Sequence, residues 1–251
     1  MNKTHFKIII PFYNIEKWAK NTINSVKAQN YDNYECYFIN DLSTDESSKI
    51  IKKNILDDKR FNLLENSKKR YPLENIKKAL RHCNPNKEDV VIILHGDDWF
   101  ANRNVLTTLN QIYNEKKCWL TYGSYVEYPS GKRGKFSREV PKAVIENNLI
   151  RQVEWMTSHL HTFKYGLWIN LKDESFIEDE NVEHHFYGAW DLAWMYPLFE
   201  MAAFKSQYVK DVLYVYNRDN PLNVDKVNQE KQLRSEKTIR TMNKYSPLEE
   251  Y

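Results

Sequence analysis

The sequence predicts an α/β protein with a mostly parallel central sheet flanked by helices. In the first half of the 251-residue chain, short apolar runs alternate with segments whose apolar residues recur at helical spacing. Strands separated by helices pair in parallel, which gives this fold class. A second observation is the all-apolar run at residues 90–94. It is long enough for a buried parallel strand and too short to cross a membrane.

The elements of the first half follow from these two patterns. The predicted strands are residues 6–10, 34–39, 61–64, 90–94 and 119–122. Apolar residues at helical spacing predict helices over residues 15–26, 73–83 and 104–115. Ser43-Thr44-Asp45-Glu46 fits a capping box that opens another helix.

The second half is less regular. Pro129-Ser130-Gly131-Lys132 predicts a turn, and residues 189–204 predict an apolar helix that Pro197 would kink. Residues 209–216 fit a strand, and residues 227–244 fit a polar, basic helix. No linker rich in Gly, Pro or Ser divides the chain, which indicates one domain with a C-terminal extension.

Composition excludes several classes of protein. A formal charge of +3 is too small to indicate nucleic-acid binding. Three scattered cysteines fit neither a disulfide framework nor a zinc cluster. The N-terminus has no signal-peptide pattern and no apolar run has the length of a membrane span, so the expected location is cytoplasmic. The oligomeric state stays open.

Charge is distributed unevenly in the second half. Residues 173–204 contain eight acidic and no basic residues, whereas residues 205–244 contain nine basic and five acidic residues. This fits a site that handles both a metal and an anion, although such runs are usually solvated faces.

Paired carboxylates follow the most apolar strand. Asp97 and Asp98 come directly after residues 90–94. In an open α/β sheet this end of a strand faces the ligand crevice. Carboxylate oxygens there suit Mg²⁺ or Mn²⁺ carrying a phosphorylated substrate.

Three motifs occur in order after three predicted strands. They are Pro11-Phe12-Tyr13-Asn14, Asn40-Asp41-Leu42-Ser43-Thr44-Asp45 and Gly96-Asp97-Asp98. Together they resemble the signatures of a family-2 glycosyltransferase of GT-A fold, P-x-Y-N, D-D-x-S-x-D and a D-x-D or D-D element. Asn40 and Leu42 depart from the second signature. The resemblance implies a Rossmann-like nucleotide-sugar-binding half (residues 1–125), an acceptor-side half (126–226) and a helical tail (227–251).

The resemblance also implies roles on the donor side. Asp97 would contact the ribose and Asp98 the metal, with Asp97 also a candidate metal ligand. Asp41 would accept a hydrogen bond from the imide N–H of uracil, which discriminates strongly against bases that lack this donor; alternatively it forms an Asx turn. The other expected nucleotide-binding residues are Pro11, Tyr13, Asn14 and Arg70. Tyr13 would stack on the base. Alternatively, Tyr13 and Pro11 only determine the conformation of the loop that follows the first strand.

On the acceptor side, the late acidic residue of the family matches Asp191. This residue would act as the general base of an inverting enzyme, with a simple helix N-cap as the structural alternative and Glu200 as the competing base. His159 and His161 would contact the diphosphate, the metal or the acceptor, or else be structural. Trp190 belongs to a tryptophan cluster that would support a sugar ring or simply fill the core.

The expected function is therefore metal-dependent transfer of a sugar from a nucleotide-sugar donor, with a UDP-sugar favoured, to a hydroxyl of a glycan or protein acceptor. Two alternatives remain at this stage. One is a sugar-nucleotide nucleotidyltransferase, which would require a Gly-rich loop that Pro11-Phe12-Tyr13-Asn14 does not provide. The other is a non-catalytic nucleotide- or sugar-binding module, against which the retained Asp97, Asp98 and Asp191 argue.

Overall fold

The computed structural model describes residues 3–176, 188–227 and 229–251. Within these ranges one eight-stranded sheet carries helices on its two faces. The strands of the described ranges are β1 (Phe6–Phe12), β2 (Tyr34–Asn40), β3 (Phe61–Glu65), β4 (Val90–Ile93), β5 (Trp99–Phe100), β6 (Leu120–Tyr128), β7 (His161–Lys164) and β8 (Ser206–Asn217). The helices of the same ranges are α1 (Ala19–Lys27), α2 (Ser47–Ile55), α3 (Tyr71–Cys83), α4 (Val105–Lys116), α5 (Lys142–Glu146), α6 (Tyr165–Trp168), α7 (Trp190–Ala202), α8 (Val224–Val227) and α9 (Gln229–Thr241).

The strand order is β3-β2-β1-β4-β7-β6-β8-β5. Strands β3, β2, β1 and β4 are parallel neighbours, as the alternation of strands and helices predicts. Their carboxyl ends therefore meet at one edge of the sheet, where ligands bind in open α/β folds. The predicted α/β fold class is confirmed.

Strand β7 joins the two halves of the chain into one sheet. It pairs antiparallel with β4 on one side and with β6 on the other, with Ile93 opposite His161 and Thr121 opposite Thr162. Strand β6 pairs in parallel with β8, which pairs antiparallel with β5. Strand β7, from the second half of the chain, thus lies beside the strand that precedes the paired carboxylates.

The core lies on both faces of the sheet. Alternate residues of β1 point to opposite faces, so Ile8 and Ile10 belong to one apolar cluster and Ile9 to the other. The first cluster includes residues of α1, α2 and α4, and the second includes residues of α3 and α7. All four residues of β4 and Leu94 have no exposed surface, which confirms the buried strand predicted at residues 90–94.

The predicted capping box at Ser43 is wrong. Helix α2 begins at Ser47, whose N–H donates to Oδ1 of Asp45 at 3.0 Å, so Ser43 is not its cap. The Ser43 hydroxyl instead accepts a hydrogen bond from the Asn14 backbone N–H at 3.0 Å. A bond between two loops has therefore replaced the local cap.

The remaining elements agree with the predictions in kind and differ in length. The turn at residues 129–132 follows β6, where the Gly131 N–H donates to the Glu127 carbonyl at 2.7 Å. Pro197 lies inside α7, which continues to Ala202. The predicted tail helix is α9 from Gln229 to Thr241, and residue 228 lies outside the described ranges. None of the helices in the described ranges has the length and apolar character needed to cross a bilayer.

Candidate active site

A cavity of about 450 Å³ opens at the carboxyl ends of β1, β2 and β4. The predicted site residues that line it are Pro11, Tyr13, Asp41, Asp97, His159, Trp190 and Asp191. Those that do not line it are Asn14, Arg70, Asp98 and His161. Pro11, Tyr13, Asp41 and Asp97 lie together because parallel strands place their ends side by side, whereas Trp190 and Asp191 come from the start of α7.

Tyr13, Asp41 and Lys69 form a narrow slot at one end of the cavity. The Lys69 Nζ lies 2.8 Å from the centroid of the Tyr13 ring and 3.5 Å from Oδ2 of Asp41. Burial lowers the pKa of Lys69, and the Asp41 charge opposes this effect. A cation therefore lies between an aromatic face and a carboxylate.

The Asp41 carboxylate is held mainly by backbone groups. Its Oδ1 accepts the Arg70 N–H at 2.7 Å, and its Oδ2 accepts the Tyr71 N–H at 3.1 Å. Asn66 donates to Oδ1 at 3.3 Å. Arg70 thus reaches the site through its backbone, and Lys69 is the basic side chain that lines the cavity.

Asn14 connects the loops that follow β1 and β2. Its Oδ1 accepts the Thr44 N–H at 2.8 Å, and its own N–H donates to the Ser43 hydroxyl. Asn14 adopts a left-handed backbone with φ of 51°, a conformation that Asn tolerates better than most residues. It therefore orients the Tyr13 loop from outside the cavity.

Asp97 and Asp98 have different environments although they are adjacent. Asp98 is 1% exposed. Its Oδ1 accepts the Asn217 N–H at 2.7 Å, and its Oδ2 accepts the Tyr214 hydroxyl. Asp97 is partly exposed and lines the cavity, where its Oδ2 accepts a bond from Asn220 Nδ2 at 2.6 Å. The expected metal role of Asp98 thus falls on a residue behind the cavity wall.

The ionisation of Asp97 depends strongly on its surroundings. Burial and the Asp98 charge raise its pKa to about 6, against the opposing hydrogen bond from Asn220. A raised pKa means that the surroundings disfavour the ionised form of the carboxyl. A cation in the cavity would stabilise the ionised form of Asp97 and lower its pKa.

His95 lines the same cavity two residues before Asp97. Its Nδ1 lies 3.4 Å from Asp98 Oδ2, and its ring contacts that of Trp190 at a centroid distance of 5.0 Å. Burial lowers the pKa of His95, but the hydrogen bond to Asp98 and the charges of Asp98, Asp97 and Asp191 outweigh burial, so the net pKa is raised.

His159 and His161 differ in position. The His159 ring lines the cavity and stacks on the rings of Tyr214 and Tyr216, at centroid distances of 4.6 and 5.8 Å. His161 is fully buried, and its Nε2 lies 2.9 Å from the Thr157 carbonyl oxygen. Burial lowers the pKa of His159 well below its usual range and that of His161 to about 3. Both rings are therefore neutral at physiological pH.

Asp191 lies in the first turn of α7 and faces the cavity. The N-cap is Ala189, so the simple N-cap interpretation of Asp191 is not what the structure contains. Its Oδ1 accepts the N–H of Leu192 at 3.1 Å. Burial raises the pKa of Asp191, and the His95 charge partly opposes this. A partly desolvated carboxylate of this kind is a stronger base than an ordinary Asp.

Glu200, the competing base, lies away from the cavity. It is 3% exposed and forms a two-point ion pair with Arg151. A carboxylate with both oxygens occupied by a buried guanidinium has no access to a substrate hydroxyl.

In the described part of the chain, no three His, Cys, Asp or Glu side chains come together as a complete metal site. Divalent cations at phosphate sites are commonly held by one or two carboxylates, with substrate phosphates and water completing the shell. The partly exposed Asp97 carboxylate fits this simpler arrangement.

The cavity residues that sequence reasoning missed include Lys69, His95 and Asn220. His95 has the strongest signal of the three, since it precedes Asp97 by two residues at the end of the same strand. Asn220 lies 123 positions from the carboxylate it contacts, and no local pattern indicates that pairing.

Comparison with known proteins agrees with this geometry. A family model described as glycosyl transferase family 2 matches residues 7–169. The chain is 25% identical over 233 residues to the glycosyltransferase GlyG of Streptococcus pneumoniae serotype 4, covering 84% of this chain and 70% of that protein. It is 33% identical over 127 residues to an uncharacterized glycosyltransferase of Haemophilus influenzae, covering 50% of this chain and 48% of that protein.

Solved structures show the same fold. TarS residues 1–349 of S. aureus, solved in complex with UDP-GlcNAc, superposes with a TM-score of 0.63 at 17% identity, covering 88% of this chain and 61% of that chain. The mannosyltransferase PcManGT of Pyrobaculum calidifontis, solved with GDP-Man and Mn²⁺, gives a TM-score of 0.63 at 15% identity, covering 97% of this chain and 66% of that chain. The chain thus spans less than two thirds of the TarS chain and about half of the Haemophilus protein.

Proposed function

Because the chain belongs to glycosyl transferase family 2, we propose that it moves a sugar from a nucleotide-sugar donor to a hydroxyl of a glycan or protein acceptor. It is a glycosyltransferase of GT-A fold. One observation carries the assignment of its site. Asp41, Asp97 and Asp191 come from three distant parts of the sequence and line a single cavity at the ends of parallel strands.

The donor base would occupy the slot between Tyr13 and Asp41. Asp41 already accepts three hydrogen bonds from the protein, and a carboxylate offers about four lone-pair positions. The fourth position faces Lys69. If a base displaces the Lys69 ammonium from the Tyr13 face, its imide N–H can donate to Asp41 Oδ2, which favours a UDP-sugar.

The Asp97 carboxylate would hold Mn²⁺ or Mg²⁺ at the donor diphosphate. When bound, such an ion stabilises the negative charge that develops on the departing diphosphate. Asn220 orients the carboxylate by donating to its Oδ2. Asp98 would act as a support for this loop rather than as a ligand.

Asp191 would remove the proton from the acceptor hydroxyl. The hydroxyl oxygen then attacks the anomeric carbon as the bond from that carbon to the diphosphate oxygen breaks, and the configuration at the anomeric carbon inverts. The proton moves to a carboxylate oxygen of Asp191, whose raised pKa suits this task. In the same scheme, residues 1–125 bind the donor and residues 126–226 face the acceptor.

Thermal unfolding with UDP tests the donor and the metal together. We expect UDP at about a hundred times its dissociation constant to raise the melting temperature by about 5 to 10 °C in Mn²⁺, since a ligand that binds only the folded state stabilises it. Equal stabilisation by UDP in the presence of a chelator would contradict the proposed metal dependence. No stabilisation by UDP in either condition would contradict the proposal that the donor is a UDP-sugar. A screen of UDP- and GDP-sugars for Mn²⁺-dependent hydrolysis would then identify the sugar.

A further inference from the structure

His95 and Asp97 face the cavity because the chain continues to pair with β1 beyond the end of β4. The Leu94 N–H donates to the Ile9 carbonyl at 3.0 Å, and the Gly96 N–H donates to the Pro11 carbonyl at 3.1 Å. The chain then turns, since the Asp98 N–H donates to the His95 carbonyl at 3.1 Å, and both His95 and Asp97 line the cavity.

Gly96 fixes how closely this segment lies against β1. A Cβ atom at Gly96 would lie 2.4 Å from Cβ of Phe12, so only glycine fits without a shift. The segment that carries His95 and Asp97 is therefore held tightly against a buried strand. Neither side chain depends on a loose loop for its position.

The two nitrogens of the His95 ring have different surroundings. Nδ1 faces Asp98 Oδ2 at 3.4 Å, and Asp98 is itself fixed by Tyr214 and Asn217. Nε2 is buried and has no hydrogen-bond partner among the described residues. Buried polar atoms are nearly always paired, so this nitrogen requires a partner that the described residues do not provide.

The arrangement in which Asp98 contacts one nitrogen of His95 and the other nitrogen is left for a ligand is common at metal sites. A carboxylate that accepts the N–H of one ring nitrogen orients the histidine and leaves a lone pair on the other nitrogen for a metal. The charges of Asp98, Asp97 and Asp191 act on the same ring. This negative field favours a cation at that position.

We propose that Nε2 of His95 and the carboxylate of Asp97 bind the divalent cation together, with Asp98 as a positioning residue for His95. This inference rests on the proposed function, because the cation is the one that accompanies the donor diphosphate. It assigns the second protein ligand to a nitrogen instead of to the oxygens of Asp98.

A nitrogen ligand has a consequence for metal choice. Mg²⁺ prefers oxygen ligands almost exclusively, whereas Mn²⁺, although it also favours oxygen, accepts an imidazole nitrogen more readily, and Co²⁺ binds nitrogen more strongly still. We expect Mn²⁺ to strengthen UDP binding by about tenfold more than Mg²⁺ does. The His95→Gln variant, which offers an oxygen at this position, should lose most of that difference.

Pulsed electron paramagnetic resonance of Mn²⁺ tests the ligand directly. The protein is loaded with Mn²⁺ and UDP, and the echo is examined for modulation by a directly bound ¹⁴N nucleus. We expect the modulation in the natural protein, a changed frequency pattern in protein grown with ¹⁵N-histidine, and loss of the modulation in His95→Gln. The isotope comparison needs no variant, so it holds even if His95→Gln folds poorly.

His159→Gln is the matched control, since the His159 ring lies 4.9 Å from that of His95 and also lines the cavity. The modulation should persist in this variant, and its persistence in His95→Gln would overturn the inference. Mn²⁺ that strengthens UDP binding without any nitrogen modulation would overturn the His95 inference and leave the proposed metal dependence standing. Mn²⁺ that has no effect on UDP binding would overturn both.

Discussion

The Arg151 guanidinium donates two parallel hydrogen bonds to the Glu200 carboxylate, Nε to Oε1 at 2.6 Å and Nη2 to Oε2 at 2.9 Å. The pair is almost completely buried. Arg151 also donates to the Ile239 carbonyl of α9, and Glu200 accepts the Tyr245 N–H. The pair therefore ties α7, which carries Asp191, to the C-terminal segment of the chain.

The first prediction concerns this ion pair. Glu200→Gln should lower the free energy of unfolding by about 3 kcal/mol or more, because it leaves the Arg151 charge buried without compensation. Glu236→Gln, which breaks the more exposed pair with Arg240, should cost less than about 1 kcal/mol. Urea unfolding of both variants measures the difference. Turnover per folded molecule should be unchanged in Glu200→Gln, and a large loss of turnover with normal stability would restore Glu200 as a candidate base.

The second prediction separates Asp97 from Asp98. Asp97→Asn should abolish the Mn²⁺-dependent stabilisation by UDP while the fold stays intact, since it removes a charge from the cavity but keeps an oxygen that can accept the bond from Asn220. Asp98→Asn should instead lower the stability of the free protein by about 1 to 3 kcal/mol, because an amide cannot accept both the Tyr214 hydroxyl and the Asn217 N–H as a carboxylate does. Melting temperatures with and without UDP and Mn²⁺ distinguish the two. The reverse pattern would return the metal to Asp98.

The third prediction concerns base recognition. UDP should bind more tightly than CDP, because the uracil imide N–H can donate to Asp41 whereas the corresponding nitrogen of cytosine carries a lone pair. We expect a ratio of about a hundredfold or more, as for a buried polar pair that is left unmatched. GDP should also bind more weakly than UDP, since a purine requires a wider slot beside Tyr13.

Calorimetry of the three diphosphates measures these ratios. In Asp41→Asn the preference for UDP over CDP should shrink at least tenfold, because the amide can donate to cytosine. The ratio of the UDP and CDP affinities is compared, and not each affinity alone, because the substitution also changes the backbone hydrogen bonds to residue 41 and can weaken the binding of both nucleotides. Equal affinities for UDP and CDP in the natural protein would contradict the assignment of Asp41.

The fourth prediction is a pH dependence of stability. The folded-state pKa of His161, about 3, lies below its usual range. The folded state therefore binds fewer protons than the unfolded state between about pH 3 and 6.5, and the free energy of unfolding falls as the pH is lowered through that window. His161→Gln should reduce this slope by about 1.4 kcal/mol per pH unit near pH 5.

Urea unfolding at pH 7, 6 and 5 measures the slope. His82→Gln replaces an exposed histidine and provides the control for loss of a surface imidazole. A slope in His161→Gln equal to that of the natural protein would contradict the neutral, buried state of His161.

The sequence predicts the placement of Tyr13, Asp41 and Asp97 because their positions depend on local patterns. Each follows an apolar run that is a buried strand, and parallel neighbours bring such ends to one edge. Alternation of strand and helix is sufficient for this inference, and β1, β2 and β4 confirm it.

The division of roles between Asp97 and Asp98 depends on contacts that no local pattern contains. Tyr214 lies 116 positions from Asp98 on β8, a strand whose neighbours in the sheet, β6 and β5, do not follow chain order. For the same reason the Ser43 capping box fails, since its hydroxyl bonds to a loop 29 positions away. Long-range hydrogen bonds override local propensity where two loops meet at a site.

The last prediction concerns Asp191, which faces the cavity from the first turn of α7. Asp191→Asn keeps an oxygen that can accept the Leu192 N–H, so the melting temperature and the UDP affinity should stay close to those of the natural protein. Turnover should fall by about a hundredfold or more, the usual scale for losing a general base.

In the natural protein, kcat should decrease as the pH falls through the raised pKa of Asp191, because the base must be ionised. Asp211→Asn, an exposed site on β8, provides the control for charge loss. A normal rate in Asp191→Asn would exclude this carboxylate as the base, and with Glu200 paired to Arg151 the search would move to His159, which lines the same cavity.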